Sequence, residues 1–576
     1  MKQTSLRYLL AASGFTVALS PSAARAAAWT GNGAGASWAT NANWADNAAP
    51  SGTISFGSGA VAKATQTLDG SYAITRIRNF SGTAVTINNG TGTNTLTFNS
   101  AISVFDASTS DITVGSGLTV GFASGLTSTA VTASAGRTVD IASAINLTNA
   151  GSAAVNLGVT GSGTVTLSGP ISGAGRLSIT SPGVTNISGT NSYLGANQTV
   201  IGSGVVNFYG DQRLATGGWT LAGDSANFMP DSLIAFSGTT GLTLTAAAAG
   251  TRSLNVAGSV TGGSIDLNSI ADGAKSTMII ESGASWLQAR IAYLQTSTVG
   301  GSVEMTVKGT CMLNPGGTIF VGSSTSRGTA TLNIDGGLVQ AVSLTNASAN
   351  STASANVNFS NGGKFKLVAN VTSMVATLGT AVNVTVGAGG GIIDTNGFTT
   401  TLAPAVTGAG RLTKAGAGTL TLSGSNTYTG GTAVGEGRLR VTGAIVIGGA
   451  SGITVASGAV LALDGTLRLT DTQATIANGG TVALGAGTSV LDLNGLFTSL
   501  TYGQTYDLFD NVGTITGGFK SITGYDNVNF KASFDNTTGK VTFNAVPEPS
   551  TYGLLGAGAL AGAAVFRRRR ARGKTV

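Results

Sequence analysis

Residues 418–431 read GTLTLSGSNTYTGG, and this stretch decides the fold. Leu420 and Leu422 alternate with threonines, so their side chains lie on one face of a strand and the hydroxyls on the other. Gly418 and Gly424 bracket the strand and permit the positive φ angles of tight turns. A four- or five-residue strand with one apolar face does not fold alone. Stacked turn upon turn, such strands share a continuous core, so the pattern predicts a solenoid.

Similar stretches recur along the chain, which is the mark of a repeat architecture. The clearest copy spans residues 408–441. A degenerate copy at 172–208 aligns with it without a gap, at an offset of 235 residues. Within the clear copy, Asn426 suits a turn because its side chain can bond nearby backbone. The predicted fold class is all-β, a right-handed parallel β-helix or β-solenoid, with the repeat region at 58–489 and a C-terminal β cap at 490–545.

Composition agrees with many short strands and tight turns. The 576 residues include 88 glycines but only 9 prolines, and 9% are charged, which is too little charge for a disordered chain. The body shows no sustained apolar spacing of the helical kind, so long helices are not expected. Histidine is absent and Cys311 is the one cysteine, which excludes a Cys/His zinc site and an internal disulfide. Cys311 is predicted to be a small buried apolar residue.

The formal net charge of +7 belongs to the two ends of the chain. Nine basic residues lie within residues 1–25 or in the last ten residues; without them and Glu548, the body has 21 Lys and Arg against 22 Asp and Glu. A near-neutral body gives no electrostatic footprint for nucleic acid, and no nucleic-acid partner is expected.

Residues 1–28 have the layout of a secretory signal peptide, with a basic start, an apolar stretch and small residues at the end. The apolar stretch, Tyr8–Leu19, is shorter than the roughly 20 residues that span a bilayer. Small side chains allow cleavage after Ala26 or after Ala28. The chain is therefore expected to be exported.

Three tryptophans, Trp29, Trp38 and Trp44, follow within residues 29–57. The favoured interpretation is an N-terminal cap, because the open end of a stack of strands must be covered. The alternative is a surface that stacks on sugar rings.

The C-terminal segment 546–576 contains Pro547, Glu548 and Pro549, then 16 largely apolar residues from Thr551 to Phe566. As a helix these 16 residues are about 24 Å long, which predicts a short transmembrane helix. Its end carries a basic cluster that would stay on the cytoplasmic side; the cluster is Arg567, Arg568, Arg569 and Arg570.

This tail resembles the sorting signal of PEP-CTERM proteins, which occur in Gram-negative bacteria that make exopolysaccharide. The resemblance implies that Pro547, Glu548 and Pro549 are recognised by a membrane processing enzyme, exosortase. It also implies transient anchoring in the inner membrane, followed by a place at the cell surface or outside the cell. The alternative is an ordinary single-pass anchor that stays attached.

Residues 408–441 resemble the autotransporter-associated β-strand repeat, found in passenger regions of secreted bacterial proteins. The match is strong there, partial at 172–208 and only compositional elsewhere. The resemblance implies a β-helical shaft outside the cytoplasm.

Candidate catalytic groups are sparse, and no catalytic residue, metal ligand or cofactor is expected. Asp507 and Asp510 are three residues apart, whereas paired catalysis needs two carboxyl groups facing each other across about 5–10 Å; they are interpreted as turn aspartates. The glycine cluster 387–391 lacks the Lys-Ser/Thr pair of a phosphate loop and is interpreted as a turn. The expected function is a structural or adhesive envelope or matrix protein, with exopolysaccharide as a partner; the alternative is a polysaccharide-active enzyme on the same scaffold.

Overall fold

The computed structural model describes residues 27–546 with the following gaps: 49, 58–62, 100, 102, 194–198, 215–217, 237–240, 290–291, 297–299, 315, 323–326, 347–352, 378–380, 448–451, 471–475, 479, 486–487, 498 and 511–513. The signal peptide up to Ala26 and the tail from Pro547, with its proposed helix and Arg567–Arg570, lie outside the described residues. The chain forms two compact units, residues 1–237 and 238–576. A boundary therefore falls inside the repeat region 58–489.

In the first unit, strands wind around a shared core and pair in parallel with strands one turn later. Thr164 pairs with Val184 and Val184 with Val205, which gives turns of 20 and 21 residues. Val85 pairs with Ile112, so other turns are longer. The first sheet is branched, because its strand β4 pairs with both β6 and β7. A second sheet and a short third sheet form the other sides of the turns.

The strands of the branched sheet are β1 (Ala27–Ala28), β2 (Gly52–Phe56), β4 (Tyr72–Asn79), β6 (Asn94–Phe98), β7 (Ser103–Ala107), β9 (Leu118–Phe122), β10 (Ser128–Ala133), β12 (Ala144–Asn146), β13 (Asn156–Thr160), β15 (Ile171–Ser172), β16 (Leu177–Ile179), β18 (Thr199–Ile201) and β21 (Trp219–Leu221). The second sheet contains β3 (Thr65–Leu68), β5 (Val85–Asn89), β8 (Ile112–Val114), β11 (Thr138–Ile141), β14 (Thr164–Leu167), β17 (Val184–Ile187), β19 (Val205–Phe208) and β22 (Ser225–Phe228). The third contains β20 (Asp211–Leu214) and β23 (Leu233–Phe236).

The second unit repeats this plan with longer turns at first, since Ser302 pairs with Thr329 and Thr329 with Ser354. Its first sheet contains β24 (Leu242–Ala246), β27 (Ile265–Ser269), β30 (Ala292–Thr296), β33 (Thr318–Val321), β36 (Ser343–Asn346) and β39 (Val375–Thr377). Its second contains β25 (Gly250–Val256), β28 (Ala274–Ile280), β31 (Ser302–Val307), β34 (Thr329–Asp335), β37 (Ser354–Ser360), β40 (Val382–Val386) and β43 (Val406–Thr407).

A third sheet runs through most of this unit, and two further sheets replace the first two from about residue 399. The third contains β26 (Ser259–Thr261), β29 (Ser285–Ala289), β32 (Thr310–Leu313), β35 (Leu338–Ala341), β38 (Gly363–Leu367), β41 (Gly391–Asp394), β44 (Leu412–Ala415), β46 (Thr432–Val434), β49 (Ile453–Val455), β52 (Ile476–Asn478) and β56 (Phe509–Asp510). The replacements are β42 (Thr399–Leu402), β45 (Thr419–Leu422), β47 (Arg438–Val441), β50 (Val460–Leu463), β53 (Thr481–Leu484) and β57 (Thr514–Thr516), and β48 (Ala444–Ile447), β51 (Thr466–Leu469), β54 (Val490–Phe497) and β58 (Ser521–Tyr525).

Burial alternates along the strands as the sequence pattern predicts. In β45, Leu420 and Leu422 are fully buried while Thr419 and Thr421 are partly exposed. Because each strand adds two or three such apolar side chains, the stacked turns share a continuous interior. The predicted all-β parallel solenoid is confirmed.

The N-terminal tryptophans pack against one another rather than outward. Trp44 makes edge-to-face contacts with Trp29 and Trp38, with ring centroids 5.0 and 5.5 Å apart. All three are buried, and the Trp38 indole N–H donates to Gln66 Oε1 at 2.8 Å. A 3₁₀ helix, Asn41–Asn43, lies in this segment. The ring faces are covered, so they offer no open platform for a sugar.

An antiparallel sheet closes the described part of the second unit, in the region predicted as a C-terminal cap. It consists of β55 (Gln504–Asp507), β60 (Lys540–Ala545) and β59 (Phe530–Asp535), in that order. Aromatic rings join it to the strands before it: Phe497 lies 5.2 Å from Tyr506 and 5.4 Å from Phe543, centroid to centroid.

Two other sequence predictions are confirmed. Cys311 is fully buried, and burial raises the pKa of its thiol to about 12. The 3₁₀ helix is the only helix of the described chain. Within that part of the chain, no helix combines the length and apolar character needed to cross a bilayer.

Candidate functional site

One outward face of the second unit carries a continuous array of polar side chains. It lies on the second sheet of that unit, where inward residues are apolar and outward ones are amides, hydroxyls and carboxylates. The array, here called the polar grid, consists of Ser302, Glu304, Thr306, Thr329, Thr331, Asn333, Asp335, Ser354, Asn356, Asn358, Ser360, Asn383 and Thr385.

In-register pairing aligns these side chains in columns across successive turns. Thr306, Asn333 and Asn358 occupy one column, and Thr331, Asn356 and Asn383 another. Strands are about 4.8 Å apart and alternate residues about 6.8 Å apart along a strand. The grid is therefore a regular lattice of polar groups.

Hydrogen bonds run along the first column, and from Asn333 across to Glu304 in the column of Thr331, and hold these side chains in fixed orientations. Asn358 Nδ2 donates to Asn333 Oδ1 at 2.9 Å, and Asn333 Nδ2 donates to Glu304 Oε1 at 2.7 Å. Lys275 Nζ pairs with the other Glu304 oxygen at 2.7 Å. Four successive turns are thus joined by side chains as well as by backbone.

The second column is connected in the same way. Asn383 Nδ2 donates to Asn356 Oδ1 at 3.0 Å, and Asn356 Nδ2 donates to Thr331 Oγ1 at 3.4 Å. Each amide has two donor hydrogens and a two-lone-pair oxygen, so one ladder bond leaves hydrogen-bonding capacity for solvent or a ligand. The grid can therefore bind a hydroxyl-rich molecule through many weak, preoriented hydrogen bonds.

A groove of about 370 Å³ borders the grid at the corner between the second and third sheets. Lys308 and Lys364 line it, and stacked glycines form its floor. A Cβ on Gly337 would lie 2.5 Å from the carbonyl oxygens of Val307 and Gly309. Only glycine permits this close stacking of corners, which is why the floor carries no side chains.

Charges around the groove are balanced by ion pairs. Lys308 Nζ lies 3.3 Å from Glu281 Oε2, and Lys364 Nζ lies 4.0 Å from Asp394 Oδ2. Such half-exposed pairs contribute little to stability, about 0–1 kcal/mol. The face as a whole is polar rather than strongly charged.

The clear repeat copy contains a buried polar node of its own. Lys414 is fully buried, and its Nζ donates to the carbonyl oxygens of Ala415 at 2.9 Å, Gly416 at 2.6 Å and Glu436 at 3.1 Å. Burial lowers the pKa of Lys414 to about 8, against the opposing effect of the carboxylates of Asp394 and Glu436. The node joins two successive turns.

Asn426 does more than the local turn bond predicted from sequence. Its Oδ1 accepts from the Val406 N–H at 3.0 Å, one turn earlier, and its Nδ2 donates to Ala444 O at 2.9 Å, one turn later. The bond to nearby backbone is also present, from Nδ2 to Gly424 O at 2.9 Å. The side chain therefore connects three turns.

Asp507 and Asp510 were predicted to be turn aspartates, which is wrong: Asp507 ends β55 and Asp510 ends β56, because both segments pair with neighbouring strands. Asp507 is exposed and paired with Lys540, Oδ1 to Nζ, at 3.0 Å; the side chain of Asp510 lies outside the described part. The glycine cluster at 387–391 is a turn between β40 and β41, with Gly389 and Gly390 at φ of 74° and 77°, as predicted. In the described chain, no group of three or more acidic or thiol side chains is placed to hold a metal ion.

The position of the polar grid was not identified from the sequence. Its signal is visible in retrospect, because the strands at 329–335 and 354–360 read TATLNID and SANVNFS. Polar residues, mostly asparagine, threonine and serine, recur at every second position, facing away from the apolar set. What the sequence alone did not provide is the register that aligns those positions across turns.

Comparison with known families finds two segments. The model of the passenger-associated-transport-repeat matches residues 412–441. The model of the PEP-CTERM protein-sorting motif matches residues 545–570. No curated protein and no solved structure matches the chain. The two motifs and the solenoid fit an exported repeat protein associated with the envelope of a Gram-negative bacterium.

Proposed function

We propose that this chain, exported and carrying a PEP-CTERM sorting motif, is a structural or adhesive protein of the envelope or extracellular matrix that holds exopolysaccharide on its polar grid. The observation that carries the proposal is the lattice of hydrogen-bonded amides and hydroxyls on β31, β34, β37 and β40. An exosortase-type enzyme is its proposed processing partner, acting at or near Pro547, Glu548 and Pro549 while the Arg567–Arg570 cluster anchors the tail in the inner membrane.

Polysaccharide is the ligand class that suits such a face. Its hydroxyl groups both donate and accept, as do the amides of Asn333, Asn356 and Asn358. Each new hydrogen bond contributes only about 1 kcal/mol. Affinity then comes from many contacts along an extended chain, which is the regime of a matrix protein rather than of a deep small-molecule pocket.

We propose that the protein acts without catalysing a reaction. Support comes from acidic side chains of the described chain that are engaged in separate ion pairs, such as Asp507–Lys540 and Glu304–Lys275. A glycan-cleaving site needs two carboxyl groups converging on one bond. Incubation with dextran and alginate tests this point: unchanged chain lengths are expected, and reproducible shortening would contradict it.

The grid is tested by binding rather than by activity. The double variant Asn333→Ala with Asn358→Ala removes two ladder amides, and we expect about tenfold weaker binding to immobilised polysaccharide. The matched control is Asn207→Ala with Asn227→Ala in the first unit, where the same side-chain ladder has bonds of 2.9 and 2.8 Å. Equal losses in both pairs would show that the grid is not the binding face.

Sorting is tested at the two ends of the mature protein. Replacing Pro547, Glu548 and Pro549 by alanine should leave export intact but change the mature C-terminus, read by intact mass. At the other end, we expect the mature chain to start at Ala27, because Ala27 is buried and pairs with Ile54. If the mature chains of the alanine triple variant and the wild type end at the same residue and are found in the same cell fraction, the sorting proposal is wrong.

A further inference from the structure

Exposed apolar side chains gather at one place in the described chain. Five large apolar residues of the described chain are more than a third exposed: Leu233, Ile270, Tyr502, Val528 and Val546. The last three directly flank the strands of the antiparallel sheet of β55, β60 and β59, and Tyr502 and Val528 are the most exposed, at 77% and 76%. Single exposed apolar residues are ordinary on a protein surface, whereas a group of them marks an interaction site.

Strand direction brings these three residues to the same edge of the sheet. β60 ends at Ala545, where its antiparallel neighbours β55 and β59 begin. The Gly503 N–H donates to Phe543 O at 2.9 Å, and the Val546 N–H donates to Asn529 O at 2.8 Å. Tyr502 and Val528 each directly precede one of these bonded residues, so they flank the end of β60.

The loop that presents Val528 is held by a carboxylate. Asp526 Oδ1 accepts from the backbone N–H groups of Val528 at 3.1 Å and Asn529 at 3.2 Å. Its Oδ2 accepts from Asn529 Nδ2 at 2.8 Å. The side chain of Val528 is therefore displayed on an ordered turn and does not depend on a core contact for its position.

The sorting tail leaves from this same edge. Only residues 547–550 separate Val546 from the apolar stretch that begins at Thr551. Fully extended, the five steps from residue 546 to residue 551 span at most about 17 Å. Proline restricts its own φ and the conformation of the residue before it, so the sequence Pro547-Glu548-Pro549 predicts a connection with few conformations.

We propose that the edge formed by Tyr502, Val528 and Val546 rests on the lipid bilayer while the sorting tail is attached. The inference rests on the proposed sorting function, because the tail must enter the membrane for the edge to reach it. The short tether gives the edge a high effective concentration at the bilayer, so weak contacts suffice. Tyrosine suits this place because its ring partitions into the interface while its hydroxyl stays hydrated. The contact sets the height at which Pro547–Pro549 is presented to a membrane enzyme.

The edge is not electrostatically drawn to lipid, since exposed Lys531 on β59 is accompanied by exposed Asp526. Insertion of apolar side chains is therefore the main expected interaction. Moderate salt should leave the contact in place, because screening acts on charges and not on apolar burial.

The experiment uses the full chain with a single surface thiol, which is feasible because Cys311 is fully buried. Tyr502→Cys and Val528→Cys each carry a polarity-sensitive fluorophore and are reconstituted into vesicles of phosphatidylethanolamine and phosphatidylglycerol. A spin label on the lipid acyl chains quenches any fluorophore at the bilayer. Leu233→Cys and Ile270→Cys are matched controls, since they are exposed apolar sites that do not flank the strands of the antiparallel sheet.

We expect the labels at 502 and 528 to shift to the blue and to be quenched at least about twofold more than the control labels. If the chain floats with the vesicles while all four labels behave alike, the edge does not touch lipid and the inference is overturned, although the tail still anchors. A shift that requires added processing enzyme would assign the edge to a protein partner and also overturn it. If the chain does not float at all, the sorting function itself fails.

Discussion

The two repeat copies, 172–208 in the first unit and 408–441 in the second, keep the same buried hydrogen bonds while their sequences diverge. In the earlier copy the Ile171 N–H donates to Asn191 Oδ1 at 2.7 Å, and in the later copy the Val406 N–H donates to Asn426 Oδ1 at 3.0 Å. Gly173 and Gly408 turn the chain at φ of 102° and 108°. The conserved element is therefore the cross-turn asparagine with its glycine corner.

At two buried positions the copies exchange a polar and an apolar side chain. Leu420 in the later copy corresponds to Thr185 in the earlier one, and both are fully buried. The Thr185 hydroxyl finds no hydrogen-bond partner in the described structure. Lys414 corresponds to Ile179, which is also fully buried. One copy thus carries a polar defect in its core, and the other carries a lysine that bonds three carbonyls.

Only the later copy is matched by the family model. The hydrogen-bonding skeleton of a turn therefore persists after the threonine and leucine pattern that identifies it has been lost. In a stack, the backbone of each turn must fit the backbones of its neighbours. The core side chains of a turn pack against those of adjacent turns, so a substitution in one turn can be compensated by a side chain in the next.

The largest expected effect comes from giving the later copy the defect of the earlier one. Leu420→Thr removes apolar volume and buries a hydroxyl, and should lower the local free energy of opening by about 3–4 kcal/mol. Hydrogen exchange of peptides covering β45 measures this quantity turn by turn. Thr421→Val, on the outward face of the same strand, is the control and should change it by less than about 0.5 kcal/mol. A Leu420→Thr effect as small as that would show that β45 does not depend on its apolar face.

The second prediction concerns the asparagine that the copies share. Asn191→Ala and Asn426→Ala each leave a buried backbone N–H without its acceptor, and each should cost about 2 kcal/mol. The measurement is the protection of the Ile171 and Val406 amides in hydrogen exchange. The shared-skeleton interpretation requires similar costs in both copies; a loss confined to Asn426→Ala would refute it.

The sequence predicted the elements of these copies better than their connections. The alternation in residues 419–422 was enough to predict strand, burial and parallel stacking, because a period of two has only one buried face. The role of Asn426 was predicted as a local turn bond, although its Oδ1 partner, Val406, is 20 residues away. The spacing between paired residues of neighbouring turns varies from 19 residues, between Thr419 and Arg438, to 33, between Thr481 and Thr514. A single sequence therefore does not reveal which residues become neighbours.

The same limit applies to the candidate site. Polar residues at alternate positions were visible, and an outward polar surface followed from them, but its location on β31, β34, β37 and β40 depends on register. The exposed edge at Tyr502 and Val528 depends on strand direction in an antiparallel sheet that the sequence indicated only as a cap. The local sequence pattern shows which residues share one face of a strand. The position of a site also depends on which strands pair with one another, and that is not visible in the local pattern.

The third prediction repairs the earlier copy. Thr185→Val keeps the shape of the side chain and removes the unpartnered hydroxyl, so stability should rise by about 1 kcal/mol. Urea unfolding followed by exchange of β17 peptides checks it. Thr132→Val is the control, since that hydroxyl lies 2.7 Å from Thr160 Oγ1 and its removal should not stabilise. A Thr185→Val variant that is less stable than wild type would mean that the hydroxyl is satisfied after all.

The last prediction tests the lysine that distinguishes the later copy. The pKa of Lys414 is lowered to about 8 in the folded chain, below the roughly 10.4 of an unfolded lysine. Between these values the unfolded state holds a proton that the folded state has released, so stability rises with pH across this window and is lower below it. Lys414→Ile, the residue found at the corresponding position 179, should abolish that rise. We expect the stability difference between wild type and Lys414→Ile to shift in favour of wild type from pH 7 to pH 10.

Taking the difference cancels the tyrosines and other lysines that titrate in the same range, and Thr413→Val on the same strand should show no pH trend relative to wild type. The charged groups facing the amine, Asp394 and Glu436, favour its protonated form, as do the three carbonyls that accept its hydrogen bonds. If those interactions outweigh burial, the difference will stay flat or fall with rising pH. The amine of Lys414 would then stay protonated across this pH range, which agrees with its three carbonyl acceptors, because a neutral amine has only two hydrogens to donate. The later copy would in that case differ from the earlier one by the hydrogen bonds of a charged lysine and not by a pH-dependent stability.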